Sequence, residues 1–268
     1  MQGRSFKELL NEAIAIFKKN ISIFLMLTLF VFIPISIARV FADKIIDIQL
    51  IEEYLANIES FVDTTDHDKL AVISAISKQL SMYFVVTFII SLFALAGDIV
   101  IIKITLSGQN KTFFEIFEES LKQFPKVLWT FLIANILIAF GLLLILPGLF
   151  MYFLFAFTIQ VVVIHNFRGL KAIRYAMVVA RKNLLRVVGY SIFSIAAGLV
   201  VAFITSLLFN FVQIDSLSNI LSVIKLSVDS LIMCIPTILF TLVFLEMQKQ
   251  VDENINILFS QDYSTDQS

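Results

Sequence analysis

Cysteine occurs once in this chain, at Cys234, which excludes an internal disulfide framework and a thiolate metal cluster. Histidine occurs twice, proline four times and glycine eight times in 268 residues, too little for a collagenous or low-complexity chain. Charge is scarce as well: Asp, Glu, Lys and Arg make up 15% of the residues and nearly cancel, to −1. Soluble domains carry about a quarter charged residues, and nucleic-acid binders carry an excess of positive charge, so no nucleic-acid partner is expected. Apolar residues fill the remaining space. They reach 59%, Phe alone occurs 28 times, and mean hydropathy is +0.93. One soluble core of this size could not hide that many Phe, Ile, Leu and Val side chains. The composition predicts an all-α, polytopic integral membrane protein.

A helix needs about 20 apolar residues to cross a bilayer core. Six stretches qualify, at about 21–42, 80–103, 127–146, 149–164, 187–212 and 226–246. The third and fourth are separated only by Pro147-Gly148, a pair suited to a tight turn because Pro presets φ and Gly tolerates φ > 0. Lys and Arg concentrate on one side of this arrangement. They lie before the first span, between spans two and three, between four and five, and after six, which accounts for 15 of 20. The positive-inside rule then puts both termini in the cytoplasm of a multi-pass cell-membrane protein. Residues 1–247 form one membrane domain, residues 248–268 a polar cytoplasmic tail, and residues 43–79 an acidic outer loop expected to hold one or two short helices. The first stretch is longer than a usual signal core and is preceded by 20 residues, which favours a signal anchor over a cleaved signal.

An internal repeat runs through the chain. At an offset of 107, Phe6, Glu8, Glu12, Phe17, Lys19, Phe24 and Leu25 meet Phe113, Glu115, Glu119, Phe124, Lys126, Phe131 and Leu132. At an offset of 163, Ala13, Lys19 and Asn20 meet Ala176, Lys182 and Asn183. Ser5 with Glu8, and Thr112 with Glu115, have capping-box spacing. Each copy reads as an amphipathic interfacial helix ending in basic residues and leading into a span, so such helices are expected before spans 1, 3 and 5.

The stretch Leu142–Phe150 around Pro147-Gly148, then Gly169-Leu170-Lys171-Ala172-Ile173-Arg174-Tyr175-Ala176 and Asn183–Gly189, resembles the membrane-domain family of bacterial glycerophosphodiester phosphodiesterases and related six-span proteins. The opening Phe6–Ala13 with Lys18-Lys19-Asn20 fits the same pattern. The resemblance implies a six-span membrane fold of three helix-plus-hairpin units. That family's phosphodiesterase activity belongs to a separate soluble barrel, which this chain does not contain.

Chemistry-bearing motifs are sparse. No phosphate-cradling G-x-x-x-x-G-K and no H-E-x-x-H occurs, so no enzyme, cofactor or metal is expected. His67 and His165 fall on opposite sides of the membrane. Ser222-Val-Ile-Lys225 matches the S-x-x-K spacing without its companion motifs. Charged and amide side chains within apolar stretches are costly and become candidates by default: Asp98, Asn135, Gln160 and Asp229. Between spans four and five, Arg168, Lys171, Arg174, Arg181, Lys182 and Arg186 form an acid-free basic segment, expected as one helix facing anionic lipid. The reading is a non-catalytic envelope protein, either a scaffold, an accessory subunit or an immunity-like protective factor, with the lipid bilayer and a membrane protein as partners. The alternative is a transporter or permease component for a small or lipid-like molecule. The abundance of Phe, Ile, Lys and Asn suits an AT-rich bacterial genome.

Overall fold

The structure is a computed structural model that describes residues 4–42, 44, 66–107, 111–210 and 218–249. Among the described residues there are helices and no strands. In order they are α1 (Phe6–Lys19), α2 (Ile21–Leu27), α3 (Ile33–Ala42), α4 (Asp66–Ser107), α5 (Phe113–Leu142), α6 (Leu146–Leu154), α7 (Thr158–His165), α8 (Gly169–Lys182), α9 (Leu184–Asn210) and α10 (Ser218–Gln248). A π-helical turn, Thr28–Phe32, joins α2 to α3. Six stretches are long and apolar enough to cross a membrane: Ile21–Ala42, Ile76–Ser107, Phe113–Leu142, Leu146–His165, Leu184–Phe209 and Ser218–Gln248. This is the all-α, six-span architecture expected from composition.

The repeat is physical as well as textual. Both capping boxes form: the Ser5 and Thr112 N–H groups each donate to the Glu8 and Glu115 carboxylates at 2.8 Å, and the Glu8 and Glu115 N–H groups donate back to the hydroxyls at 3.4 Å. Arg4 and Lys111 are also related by the offset of 107, and each ion-pairs with the equivalent acid, Glu12 or Glu119. Each pair then ties its helix to the end of a span. Arg4 reaches Glu246 of α10 at 3.1 Å, and Glu119 is reached by Lys103 of α4 at 3.4 Å. The amphipathic segments thus pack onto the bundle.

Whether a copy bends depends on one residue. Asn20 and Asn183 interrupt their helices, with ψ of 22° and 32°. A short amide competes for backbone groups, and Asn20 Nδ2 donates to the Ile16 carbonyl at 2.9 Å. The middle copy has Val127 at the equivalent position, and α5 runs on through Pro125 without a break. The interfacial helix expected before span 3 is therefore the first part of a single long helix. The break at Asn183 also divides the expected basic helix 168–186: Lys171, Arg174, Arg181 and Lys182 lie on α8, Arg168 precedes it, and Arg186 belongs to α9.

The described part of the outer loop, residues 66–79, belongs to α4; the outer-loop helices expected from sequence fall mainly on residues 43 and 45–65, which lie outside the described residues. One further expectation changes. The turn between spans 3 and 4 is Leu143–Ile145, where Ile145 takes φ 54°. Pro147 and Gly148 come after it, in the first turn of α6. Pro is well placed there because that N–H has no helical partner. Gly148 is required for another reason: a Cβ on it would lie 2.3 Å from Leu142 N and 2.5 Å from Leu142 Cα. Gly141 faces it across the crossing, and its own Cβ would lie 2.8 Å from Gly148 Cα. Leu143, Leu144, Ile145 and Leu146 project outward at this tip, a set of side chains that suits lipid and not water.

α10 is the hub of the bundle, packing against α1, α3, α4 and α9. The core includes Phe24, Ile99, Phe157, Tyr175, Ile238 and Phe244. α8 turns its small and apolar residues Ala172, Ala176, Val179 and Ala180 inward. Its first residue is pinned by the Gly169 N–H, which donates to Thr130 Oγ1 at 2.8 Å, and Gly169 carries φ +57°.

Candidate functional site

α4 is set against span 1 by a close contact. Pro34 lacks the N–H that a helix needs and crowds the preceding turn. The chain widens there into the π-helical turn, closed by the Ile33 N–H donating to the Thr28 carbonyl. Val31 and Phe32 on this turn pack onto Gly97, where a Cβ would meet Phe32 Cε1 at 3.3 Å. The next residue, Asp98, lines a cleft between the helices.

This cleft has a volume of ≈ 380 Å³. Its walls come from α4 (Asp98), α5 (Phe131, Ala134 and Asn135), the α6–α7 segment (Tyr152, Phe155, Thr158 and Gln160), α9 (Ser191, Ser194 and Ile195) and α10 (Pro236, Thr237 and Phe240). Three of the four polar residues singled out from sequence therefore meet in one place. Asp229 does not line it: it lies on α10 one turn before Met233, and its Oδ1 is buried without a hydrogen-bond partner among the described residues.

These groups lie toward the basic end of the bundle. Asp98 is five residues from Lys103, Gln160 five from His165 and Ser191 five from Arg186. At 1.5 Å per residue each lies about 8 Å from its basic end. Asn135 is nine residues from Lys126, and Thr237 nine from Glu246, about 13 Å in. The cleft therefore sits about one and a half to two and a half helical turns below that end of the bundle.

Span 4 is broken beside this site. α6 ends at Leu154, and Phe155–Phe157 form a turn before α7 begins at Thr158. The Phe155 carbonyl accepts from the Thr158 N–H at 2.9 Å and from the Thr158 hydroxyl at 2.6 Å. Pro236 removes a helix hydrogen bond on the opposite wall. Irregular backbone at membrane depth persists where it lines a cavity inside the protein.

The wall carries acceptors beside the hydroxyls of Tyr152, Ser191 and Ser194. The Asn135 amide donates to the Phe131 carbonyl at 2.8 Å, and the Thr158 and Thr237 hydroxyls donate to carbonyls of Phe155 and Met233. These three groups thus each spend a donor on their own chain segment and leave an oxygen available. Gln160 is only 5% exposed, and its Oε1 has no partner among the described residues. Among the described residues Asp98 has no hydrogen bond and no ion pair. Sequence reading missed Thr158, Ser191, Ser194 and Thr237, because hydroxyls are ordinary in membrane helices and nothing in their spacing marks them.

The other sequence candidates are not assembled into chemistry. Lys225 Nζ donates to Ser206 Oγ at 2.7 Å, while the Ser222 hydroxyl donates to the Ser218 carbonyl, so the S-x-x-K pair makes no dyad. His165 packs against Phe167 and Tyr175, and burial pushes the Tyr175 phenol above its ordinary pKa. The His67 side chain lies outside the described residues, among which no cluster of metal-ligating side chains occurs. On α8, Arg174, Arg181 and Lys182 are exposed, as are Arg168 and Arg186 beside it. Lys171 lies 5.0 Å above the Phe167 ring.

No curated protein and no solved structure matches the chain. One family model matches residues 79–248, which span α4 from Gln79 onward through α10 and include every residue of the cleft wall. The chain belongs to the family described as Domain of unknown function (DUF7847).

Proposed function

We propose that this chain is a non-catalytic membrane protein that takes a small or lipid-like molecule into its intramembrane cleft, as a transporter or permease component. One observation carries the reading: Asp98, Asn135 and Gln160, from three different spans, converge on one cleft beside a broken helix. Unwound helices and convergent polar side chains are the usual construction of transporter sites. The test is photolabelling in nanodiscs with a diazirine-bearing decanol. Labelling should concentrate on the peptide around Tyr152–Thr158 and fall at least fivefold in Ser194→Trp, which fills the cleft. Even labelling of the lipid-facing residues Leu199 and Phe203, with no loss in Ser194→Trp, would refute the reading.

A second reading rests on a different observation, the exposed basic residues Arg168, Arg174, Arg181, Lys182 and Arg186. It makes the protein a bacterial envelope scaffold, accessory subunit or immunity-like factor that engages anionic lipid on its inner face, with a membrane protein as a further partner. Kinship with the glycerophosphodiester phosphodiesterase membrane domain belongs with this reading. Both readings place the protein in the cell membrane with both termini in the cytoplasm. In a Cys234→Ala background, Gly3→Cys should resist an impermeant thiol reagent in intact cells and Thr64→Cys should react. The reverse pattern would invert the topology.

A further inference from the structure

We propose that the cleft recognises the cationic head of an alkylammonium-type amphiphile, with Asp98 as its counter-charge; this rests on the cleft being a ligand site. A hydrogen-bond-donating head suits the acceptors on the wall. These include the Asp98 carboxylate and the oxygens of Asn135, Thr158 and Thr237; each of the latter three residues spends a proton on a backbone carbonyl in its own helix or turn. A neutral donor would satisfy the amides but leave Asp98 either charged without a counter-charge or protonated, with its charge unused. An ammonium group satisfies both.

The rest of the wall selects an organic cation over a bare metal ion. Phe131, Tyr152, Phe155 and Phe240 surround the polar patch, and aromatic faces attract alkylated ammonium groups within about 6 Å of the ring. A hard ion such as Na⁺ demands five or six oxygens at close range, whereas these acceptors are spread over four helices and separated by apolar side chains. The rim offers an entry path for a tail: Asn135, Tyr152 and Ile195 are exposed on the flank of the bundle. An amphiphile could therefore enter sideways from the leaflet, its head sinking to Asp98 and its chain lying along Ile195 and Tyr152.

The test is equilibrium binding of radiolabelled n-decylammonium to the full chain in zwitterionic phosphatidylcholine nanodiscs, with empty nanodiscs subtracted and n-decanol as the neutral analogue. The wild type should bind decylammonium saturably and at least tenfold more tightly than decanol. Asp98→Asn, which preserves shape, should weaken decylammonium at least tenfold and decanol far less. Gln160→Leu should weaken decylammonium about threefold and serves if Asp98→Asn fails to fold. Equal ammonium affinity in the wild type and both variants would overturn the proposal, as would displacement of decylammonium by millimolar Na⁺ but not by choline. Saturable decanol binding with no preference for the ammonium would overturn the ligand class alone and leave the cleft as a binding site. Absence of saturable binding by either probe would overturn the cleft reading itself.

Discussion

Gly148→Val should abolish the folded hairpin of spans 3 and 4. Any Cβ at this position falls 2.3–2.6 Å from the backbone N, Cα and side-chain Cγ of Leu142. The first two are backbone atoms of α5 and cannot rotate away. Relief requires α6 to lift off α5, which opens the Gly141–Gly148 crossing and displaces the broken segment that walls the cleft. Overpacking costs typically 1–3 kcal/mol, and an obstruction by backbone should reach the upper end, about 3 kcal/mol, a large share of the roughly 5–15 kcal/mol that holds a domain together. The expected result is a marked fall in melting temperature in detergent and loss of monodisperse protein. Two controls make the result specific. A Cβ on Gly189 in α9 would meet nothing within 4 Å, so Gly189→Ala should be neutral or stabilising by up to about 1 kcal/mol through helix propensity. Ile145→Gly should stabilise by about 1 kcal/mol, because a β-branched residue at φ 54° is strained. A Gly148→Val protein that melts with the wild type would show that the two helices do not cross this closely.

The second large effect is electrostatic. Replacing Lys171, Arg174, Arg181 and Lys182 with Gln should strip co-purifying anionic lipid from the protein without altering its topology. Basic residues beside a membrane attract anionic lipid at about 1 kcal/mol per charge, so the gross loss is roughly 4 kcal/mol, less at high salt. The structure divides this loss unevenly. Arg174 and Arg181 are exposed on α8, whereas Lys171 is drawn over Phe167, so Arg174→Gln with Arg181→Gln should account for most of it. Insertion should persist, because hydrophobicity drives it and Arg168 and Arg186 still flank the segment. The measurement is phosphorus content and lipid mass spectrometry of the purified variants at two salt concentrations. Unchanged anionic lipid in a correctly inserted quadruple variant would leave these residues as topology signals alone.

The capping boxes at Ser5 and Thr112 were legible because both partners sit within one helical turn, where spacing alone brings them together. The same holds for the six apolar stretches: length against bilayer thickness is a one-dimensional criterion. Local chemistry misled at Pro147-Gly148. The pair has turn chemistry, yet the chain turns three residues earlier, and Gly148 is needed because another helix crosses it. The break at Phe155–Phe157 left no trace, since no Gly or Pro marks it; the surrounding helices supply the packing that tolerates it.

Asp98, Asn135, Gln160 and Asp229 look alike when read along the chain, as isolated polar residues in apolar surroundings. Composition and periodicity are properties of neighbouring residues, so they suffice to establish a six-span helical membrane protein, its repeat and its candidate polar groups. Which of those groups share a site depends on how far each helix is rotated and shifted against the others. The π-helical turn at Thr28–Phe32, the Gly97 contact and the interruption of span 4 are part of that packing, which gathers Asp98, Asn135 and Gln160 into one cleft and leaves Asp229 out of its lining.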